Sequence, residues 1–241
     1  MSTILDKEKH RTTMGRILKD VYADTSLAPL LGFKGGTCAY FFYNLPRFSV
    51  DLDFDLLNPT EKNKELVFSK IESIAEQYGT IKDQAVKFFT LYFFLSYGKE
   101  DRNIKIEINV RPAEANLPEH YEFRDLLGTP MLVVKPDYMF ANKLVALTER
   151  PQMVPRDIYD IYFFAKNNWS FDKKSVEARV KKSIAEHLRD CIDLVSRVKD
   201  NEIMRGLGEL LDAKEKIWVR KKLREETIFL LRNYLMAIER G

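Results

Sequence analysis

Residues 34–57 read KGGTCAYFFYNLPRFSVDLDFDLL, and the end of this stretch alternates aspartates with apolar residues. A period of two is the pattern of a strand with one polar and one buried face. Asp51, Asp53 and Asp55 therefore share a face, and the apolar residues between them fill the other. Same-face neighbours lie about 6.5–7 Å apart along a strand, so two carboxylates either converge on a divalent ion or repel each other.

Two interpretations of this acidic row remain open. One is a solvated strand face whose charges prevent pairing with other chains. The other is a metal site, and the later IEINV stretch favours it because it places Glu107 between apolar residues of a second strand. We expect Glu107 to meet Asp51 and Asp53 from a neighbouring strand, which is the carboxylate set of a two-metal phosphoryl-transfer site. Such ligands suit Mg²⁺ or Mn²⁺, whereas Asp55 has no assigned role.

The glycine turn that opens the stretch is the second candidate feature. Gly35, Gly36 and Thr37 lie between an apolar run and a short helix predicted over residues 37–44. Glycines let the backbone approach a phosphate closely, and a helix N-terminus offers free N–H groups. A glycine pair usually forms only a turn. Its position just before the aspartate strand favours the phosphate-binding interpretation here.

Composition narrows the class of protein. The chain has 241 residues, 45% of them hydrophobic and 31% charged, which is typical of a globular protein rather than a disordered one. The N-terminus has no apolar core like that of a signal peptide, and the longest uncharged apolar run, residues 88–98, is too short to span a bilayer. We expect a cytoplasmic protein without a membrane partner.

The pattern of elements changes along the chain. Strand and helix patterns mix up to about residue 135, and Pro136 begins a helix. From residue 171 onward the chain reads as helical throughout. The predicted fold is therefore α+β, with a mixed sheet flanked by helices over residues 1–135 and a helical C-terminal domain over residues 136–241.

The combination of motifs is more specific than any one of them. A glycine pair, a short helix, an acidic pair on one strand and a third acid on another resemble the nucleotidyltransferase superfamily with a polymerase-beta-like core. More narrowly, FKGGTCAYFFYNLPRFSVDLDF and NKLVALTERPQMVPRDIYDIYFF are similar to the AbiEii/AbiGii toxin family, over about residues 30–166. The spacing from Gly36 to Asp51 is slightly long for the superfamily, and a turn at residues 44–46 would absorb it.

This resemblance implies a nucleotidyltransferase-type sheet and a toxin of a toxin–antitoxin, abortive-infection-like system. Its reaction would transfer a nucleoside monophosphate from an NTP to an acceptor, for which the 3′ end of tRNA is one candidate. The implied cofactor is Mg²⁺ or Mn²⁺, and the implied partners are the NTP, an RNA acceptor and a cognate antitoxin protein. The alternative is a nucleotide-binding regulatory or interaction protein with a degenerate site. Phage defence and growth control are not distinguished.

The resemblance also adds Lys143 and Asp157 to the active site, from a second motif in the helical domain. Spacing alone leaves Lys143 open between a surface lysine and a contact to the triphosphate. Asp160 shares a helix face with Asp157, and the resemblance supports its role less firmly.

Arg47 and Ser49 flank the acidic strand. We expect Arg47 either to contact phosphate or to pair with Asp51. Ser49 shares the strand face of Asp51, and in related toxins such a serine is a target for inactivating phosphorylation. Farther along the chain, the basic residues of the helix over residues 214–240 have two open interpretations, a solvated face or a contact to RNA phosphates.

Overall fold

The strand predicted from the alternating aspartates runs from Asp51 to Leu56 and lies inside a mixed sheet. The structure, a computed structural model, describes residues 5–99, 101–112 and 116–240. The chain divides into two units, Met1–Lys135 and Pro136–Gly241.

The first unit holds the sheet and the helices that cover it. Its elements are α1 (Lys7–Ala23), β1 (Leu31–Lys34), α2 (Gly35–Phe42), β2 (Asp51–Leu56), α3 (Glu61–Glu76), β3 (Thr80–Lys87), β4 (Thr90–Ser96), β5 (Ile104–Asn109), a 3₁₀ turn (Leu117–His120), β6 (Tyr121–Leu126) and β7 (Thr129–Val134). Within the described residues, seven strands form one sheet in the order β3-β4-β5-β2-β1-β7-β6. β2 runs parallel to β5 and antiparallel to β1.

Alternation along the central strands separates a core face from an open face. In β4 and β5 every second residue is buried, and the residues between them are partly exposed. α1 and α3 contribute apolar residues such as Met14, Leu18 and Ile71 to the core, where they are almost fully buried. This division places the polar residues of β2, β4 and β5 on the open face, as expected for a half-buried sheet.

The loop between α2 and β2 accounts for the long spacing noted in the sequence. α2 ends at Phe42, and Asn44 takes a left-handed conformation with φ 56°. Leu45 is then buried beneath the loop. The extra residues are therefore absorbed at the turn predicted for this segment.

The hairpin formed by β6 and β7 is only partly evident in the sequence: residues 131–135 read as a strand that ends at the helix begun by Pro136, whereas no strand was predicted at residues 121–126. β6 pairs antiparallel with β7. The turn between them consists of Leu127 and Gly128, with φ values of 53° and 81°. β6 is an edge strand with a largely exposed surface, so its burial pattern lacks the alternation that reveals β2.

In the described residues of the second unit, the regular elements are all helices, as predicted. It contains α4 (Pro136–Glu149), α5 (Pro155–Lys166), α6 (Lys173–Val180), α7 (Ile184–Ser196), α8 (Ala213–Trp218), a π-helical segment (Val219–Leu223) and α9 (Arg224–Arg240). A mixed sheet with flanking helices, followed by a helical region, confirms the predicted fold class.

Candidate active site

The three predicted carboxylates lie together on the open face of the sheet. In the parallel pairing of β2 with β5, Asp53 is opposite Glu107 and Asp51 is opposite Lys105. Lys105 Nζ lies 2.7 Å from Oε2 of Glu107 and 4.0 Å from Oδ2 of Asp51. Sequence reasoning missed Lys105, although its place two residues before Glu107 in an alternating strand is a signal for the shared face.

The charged form of Asp53 is disfavoured at its position in β2. Burial, and then the neighbouring Asp51 carboxylate, raise the pKa of Asp53 to about 6. Lys105 and Lys34 oppose this shift with their positive charges. At neutral pH the face therefore holds more negative charge than it stabilises easily, which is the condition under which a divalent cation binds.

The donor set fits a divalent cation at Asp51 and Asp53. Both are carboxylates on adjacent same-face positions of one strand, and a cation already lies beside them as Lys105. Glu107 is engaged by that lysine. Among the residues that the structure describes, no three His, Cys, Asp or Glu side chains are grouped so that they could hold a metal ion.

Asp55, the third aspartate of the row, belongs to a different cluster. It is buried, and its Oδ1 accepts hydrogen bonds from Lys34 Nζ at 2.5 Å and Asn109 Nδ2 at 2.7 Å. Its Oδ2 accepts one from the Tyr121 hydroxyl at 2.5 Å. These partners lower its pKa against the opposing effect of burial. The carboxylate of Asp55 thus joins β1, β2, β5 and β6.

The glycine turn is built directly against the acidic strand. Gly35 has φ +80°, and a Cβ on it would lie 2.3 Å from Oδ2 of Asp53. α2 begins at this residue, and its N-cap, Lys34, forms no side-chain cap. Thr37 is buried, and its hydroxyl donates to the Asp51 carbonyl oxygen. The start of α2 is therefore held against β2, with Gly35 beside the Asp53 carboxylate.

Arg47 and Ser49 lie behind the same turn. A Cβ on Gly36 would lie 2.6 Å from Arg47 Nη2 and 3.0 Å from Ser49 Oγ. Both side chains are buried, and Arg47 Nη1 donates to the Phe48 carbonyl at 3.2 Å. The guanidinium thus adds positive charge near the N-terminus of α2, while the Ser49 hydroxyl has little access to solvent.

In the second unit, Lys143 is held between two buried aspartates. Its Nζ lies 2.7 Å from Oδ1 of Asp157 and 2.8 Å from Oδ2 of Asp160. Oδ2 of Asp157 forms no hydrogen bond, although it lies 3.0 Å from Arg150 Nε, a charge contact of poor geometry. Spacing left Lys143 open between the surface and the site, and the structure places it in a mostly buried ion-pair cluster that includes Asp160.

The basic residues near the C-terminus are exposed on a distorted helix. Arg220, Lys221 and Lys222 belong to the π-helical segment between α8 and α9. Lys222 lies 3.5 Å from Glu225, and no ion pair of Arg220 or Lys221 occurs within the described ranges. π-helical turns occur frequently at functional sites.

No helix in the described ranges is long and apolar enough to cross a membrane.

Comparison with known proteins places these features in context. The chain matches the family model described as "Nucleotidyl transferase AbiEii toxin, Type IV TA system" over residues 16–227. No protein of curated function matches it in sequence.

Three solved structures share its fold. One is an H. pylori protein named as a candidate nucleotidyltransferase, with a TM-score of 0.61, 21% identity and coverage of 97% of this chain and 96% of that one. JHP933 from Helicobacter pylori has a TM-score of 0.53, 21% identity and coverage of 99% and 98%. MenT4, the nucleotidyltransferase toxin Rv2826c from Mycobacterium tuberculosis H37Rv, has a TM-score of 0.50, 17% identity and coverage of 94% and 92%.

Proposed function

Because the chain belongs to the AbiEii nucleotidyltransferase toxin family of type IV toxin–antitoxin systems, we propose that it transfers a nucleoside monophosphate from an NTP to an RNA acceptor. Pyrophosphate would be released. The 3′ end of tRNA is the acceptor we favour, and a cognate antitoxin protein would restrain the reaction. We place this activity in the cytoplasm.

The observation that carries the proposal is the contact between the glycine turn and the carboxylate pair. Gly35 leaves room for the Asp53 carboxylate where any side chain would collide with it. The N-terminus of α2, which would bind the phosphates, thereby lies beside Asp53, which would bind the metal. Phosphoryl transfer needs this juxtaposition, because the enzyme mainly positions the reactants and stabilises charge.

Each candidate site residue of the first unit then has a proposed role. Asp51 and Asp53 would hold Mg²⁺ or Mn²⁺, with Glu107 as the third carboxylate once it leaves Lys105. The bound ions would neutralise charge that develops on the phosphates. Gly35 and Gly36 present backbone N–H groups to the phosphates, and Thr37 fixes their helix against β2. Glu107 would also accept the proton of the attacking hydroxyl.

Other side chains would contribute charge around the nucleotide. Arg47 would strengthen the positive end of α2, and we assign Lys143 the neutralisation of triphosphate charge that the family resemblance implies. Asp157 holds the ammonium of Lys143 and thereby orients it. Phosphorylation of Ser49 would add negative charge behind the glycine turn and oppose nucleotide binding. Because Ser49 is buried, this segment would have to open before a kinase could reach it.

The decisive experiment is incubation of the protein with each radiolabelled NTP, Mg²⁺ and total RNA. We expect label to enter RNA with the wild-type protein and to be lost with Asp51→Ala or Asp53→Ala. Retention of label by both variants would contradict the assignment of the site. Comparison of the four NTPs identifies the preferred base.

Lys105 favours a second candidate function, a nucleotide-binding regulator with a degenerate site. Its ammonium stands among the carboxylates, where it already supplies a positive charge. A regulator would bind Mg²⁺–NTP without transferring label to RNA and without toxicity on expression. An enzyme would bind Mg²⁺–NTP, transfer label to RNA and be toxic on expression. The same incubation combined with an NTP-binding titration therefore separates the two candidates.

The basic segment over residues 220–222 is the candidate contact to RNA phosphates. Reversal of Arg220, Lys221 and Lys222 to Glu should weaken RNA binding strongly at low salt and flatten its salt dependence, because fewer counterions are released. Reversal of Lys173, Lys174 and Lys199 changes the net charge equally and is the matched control. Equal RNA affinities of the two variants would contradict a contact between residues 220–222 and RNA phosphates.

A further inference from the structure

An aromatic pair lies on the open face of the sheet beside the carboxylates. Tyr92 and Phe94 occupy alternate positions of β4, and both are partly exposed while their neighbours in the strand are buried. Their ring centroids are 6.5 Å apart, and the ring planes differ by 13°. This separation equals the repeat of two residues along a strand, so the rings stand in parallel without touching.

Strand register fixes where this pair lies relative to the candidate active site. Tyr92 is opposite Glu107, which is itself opposite Asp53. Phe94 is opposite Lys105, which is opposite Asp51. Directly paired residues point to the same side of a sheet. The rings are therefore immediate neighbours of Glu107 and Lys105, and about 10 Å, two strand spacings, from the aspartate strand.

The two sides of the aspartate strand differ in what they can bind. On one side, β1 leads into the glycine turn and the free N-terminus of α2, which suit the phosphates of the nucleotide. On the other side, β5 and β4 offer Glu107 and the two rings. If Glu107 accepts the proton of the attacking hydroxyl, as proposed above, the acceptor would approach from the side of the rings, because Tyr92 is paired with Glu107.

Positive charge lies at one end of the aromatic pair. Lys87 Nζ lies 4.7 Å from the centroid of the Tyr92 ring. The next aromatic along this hairpin, Phe89, has the Arg111 guanidinium 5.0 Å from its centroid. Acidic groups lie on the flanks of the pair, with Glu107 opposite Tyr92 and Asp83 opposite Phe94. Phosphates are therefore expected at the end of Lys87 and Arg111, away from these acids.

We propose that Tyr92 and Phe94 form a stacking platform for the unpaired terminal base at the 3′ end of the RNA acceptor. The two rings are nearly parallel and partly exposed, so each offers an aromatic face on which a base can stack. Aromatic stacking is the common means by which proteins hold single-stranded nucleic acid. This inference rests on the proposed transfer to RNA and adds how the acceptor end is recognised.

The test compares two short single-stranded RNAs that are identical except that one has an abasic 3′-terminal residue. The wild-type protein should bind the RNA with the intact terminal base roughly tenfold more tightly, as measured by fluorescence anisotropy. In Tyr92→Leu/Phe94→Leu this preference should fall to near one. Leucine keeps an apolar side chain that strands tolerate, and thermal unfolding of the variant checks that the fold is retained.

Phe123→Leu is the matched control, because Phe123 is an aromatic of the opposite edge strand with 72% of its surface exposed. It should keep the full preference for the terminal base. A preference that is absent in the wild type, or that survives in the double variant, would overturn the platform. Loss of Mg²⁺–NTP affinity in the double variant would also overturn it, since the rings would then serve the nucleotide.

The proposed function fails separately from the platform. If the wild type transfers no label to RNA but still prefers the intact terminal base, the transfer reaction is refuted and the platform stands. If label is transferred while the terminal base has no effect on binding, the platform is refuted and the transfer reaction stands.

Discussion

Gly35 is the residue on which the candidate site depends most directly. Its φ of +80° lies in the left-handed region, and the space for its missing Cβ is taken by the Asp53 carboxylate. Gly35→Ala should lower the free energy of unfolding by about 1–2 kcal/mol through the backbone alone. The collision should also displace Asp53 and abolish transfer of label to RNA.

Gly128 is the matched control for this prediction. It has nearly the same conformation, with φ +81°, but nothing lies within 4 Å of a Cβ at this position. Gly128→Ala should therefore lose a similar free energy of unfolding, as measured by chemical denaturation. It should keep the transfer of label to RNA. Equal activity of the two variants would show that Asp53 tolerates displacement.

The raised pKa of Asp53 predicts how stability depends on pH. The folded protein binds this proton with a pKa of about 6, above the ordinary value of 3.8. The stability that this bound proton adds to the folded protein is therefore fully present below about pH 4. It is lost as the pH rises through 6. Asp53→Asn has no carboxylate to titrate and therefore does not lose this stability. The free energy of unfolding of the variant, relative to that of the wild type, should rise by up to about 3 kcal/mol between pH 4 and pH 7.

Denaturation of wild type and Asp53→Asn at several pH values, without divalent ions, measures this difference. The same protonation should weaken Mn²⁺ binding below pH 6 in the wild type. A difference between the two proteins that does not change with pH would contradict the raised pKa.

At the scale of elements, β2 carries two kinds of aspartate on one face. Asp51 and Asp53 face the partly exposed residues of β5, whereas Asp55 is buried among hydrogen-bond donors from three other strands. The same alternation produces all three positions. Their different roles arise from the neighbouring strands, because only Asp55 meets Lys34, Asn109 and Tyr121.

Asp55→Ala should destabilise the sheet by about 3 kcal/mol or more, because it leaves the Lys34 ammonium and the Tyr121 hydroxyl without this acceptor. Asp51→Asn is the comparison, since its contact with Lys105 is long and partly exposed, and it should cost less than about 1 kcal/mol. Chemical denaturation in the absence of metal measures both. A larger loss for Asp51→Asn would reverse the roles assigned to these two residues.

At the scale of the whole molecule, the chain consists of two units with separate buried cores. The first unit holds the carboxylates and the glycine turn. In the second unit, Lys143 is paired with Asp157 and Asp160.

Lys143→Met tests how independently the two units hold their structure. The substitution removes a cation that contacts two buried carboxylates, which typically costs about 3–5 kcal/mol. Hydrogen exchange should then accelerate in residues 136–240 and stay unchanged in the sheet of the first unit. Lys143→Arg keeps the charge and should show a smaller effect. Faster exchange throughout the chain would indicate a single cooperative unit.

Sequence patterns predicted the elements in which alternation or a helix signal is strong. β2, β5 and α4 follow from the alternating acids and from Pro136, and the α+β fold class follows from their order. The edge strand β6 was not predicted, because it buries little and its apolar–charged alternation covers only residues 121–124. The family assignment was also available from the sequence, because its motifs are contiguous stretches.

The sequence by itself determined that Asp51 and Asp53 share a strand face beside a glycine turn, since both facts follow from local spacing. Only the tertiary structure decided which residues lie beside them. Strand register brought Lys105 and Glu107 to β2, moved Asp55 into a buried cluster and set the Tyr92 and Phe94 rings next to Glu107. Such neighbours depend on pairing between segments distant in sequence, and local periodicity carries no information about that register.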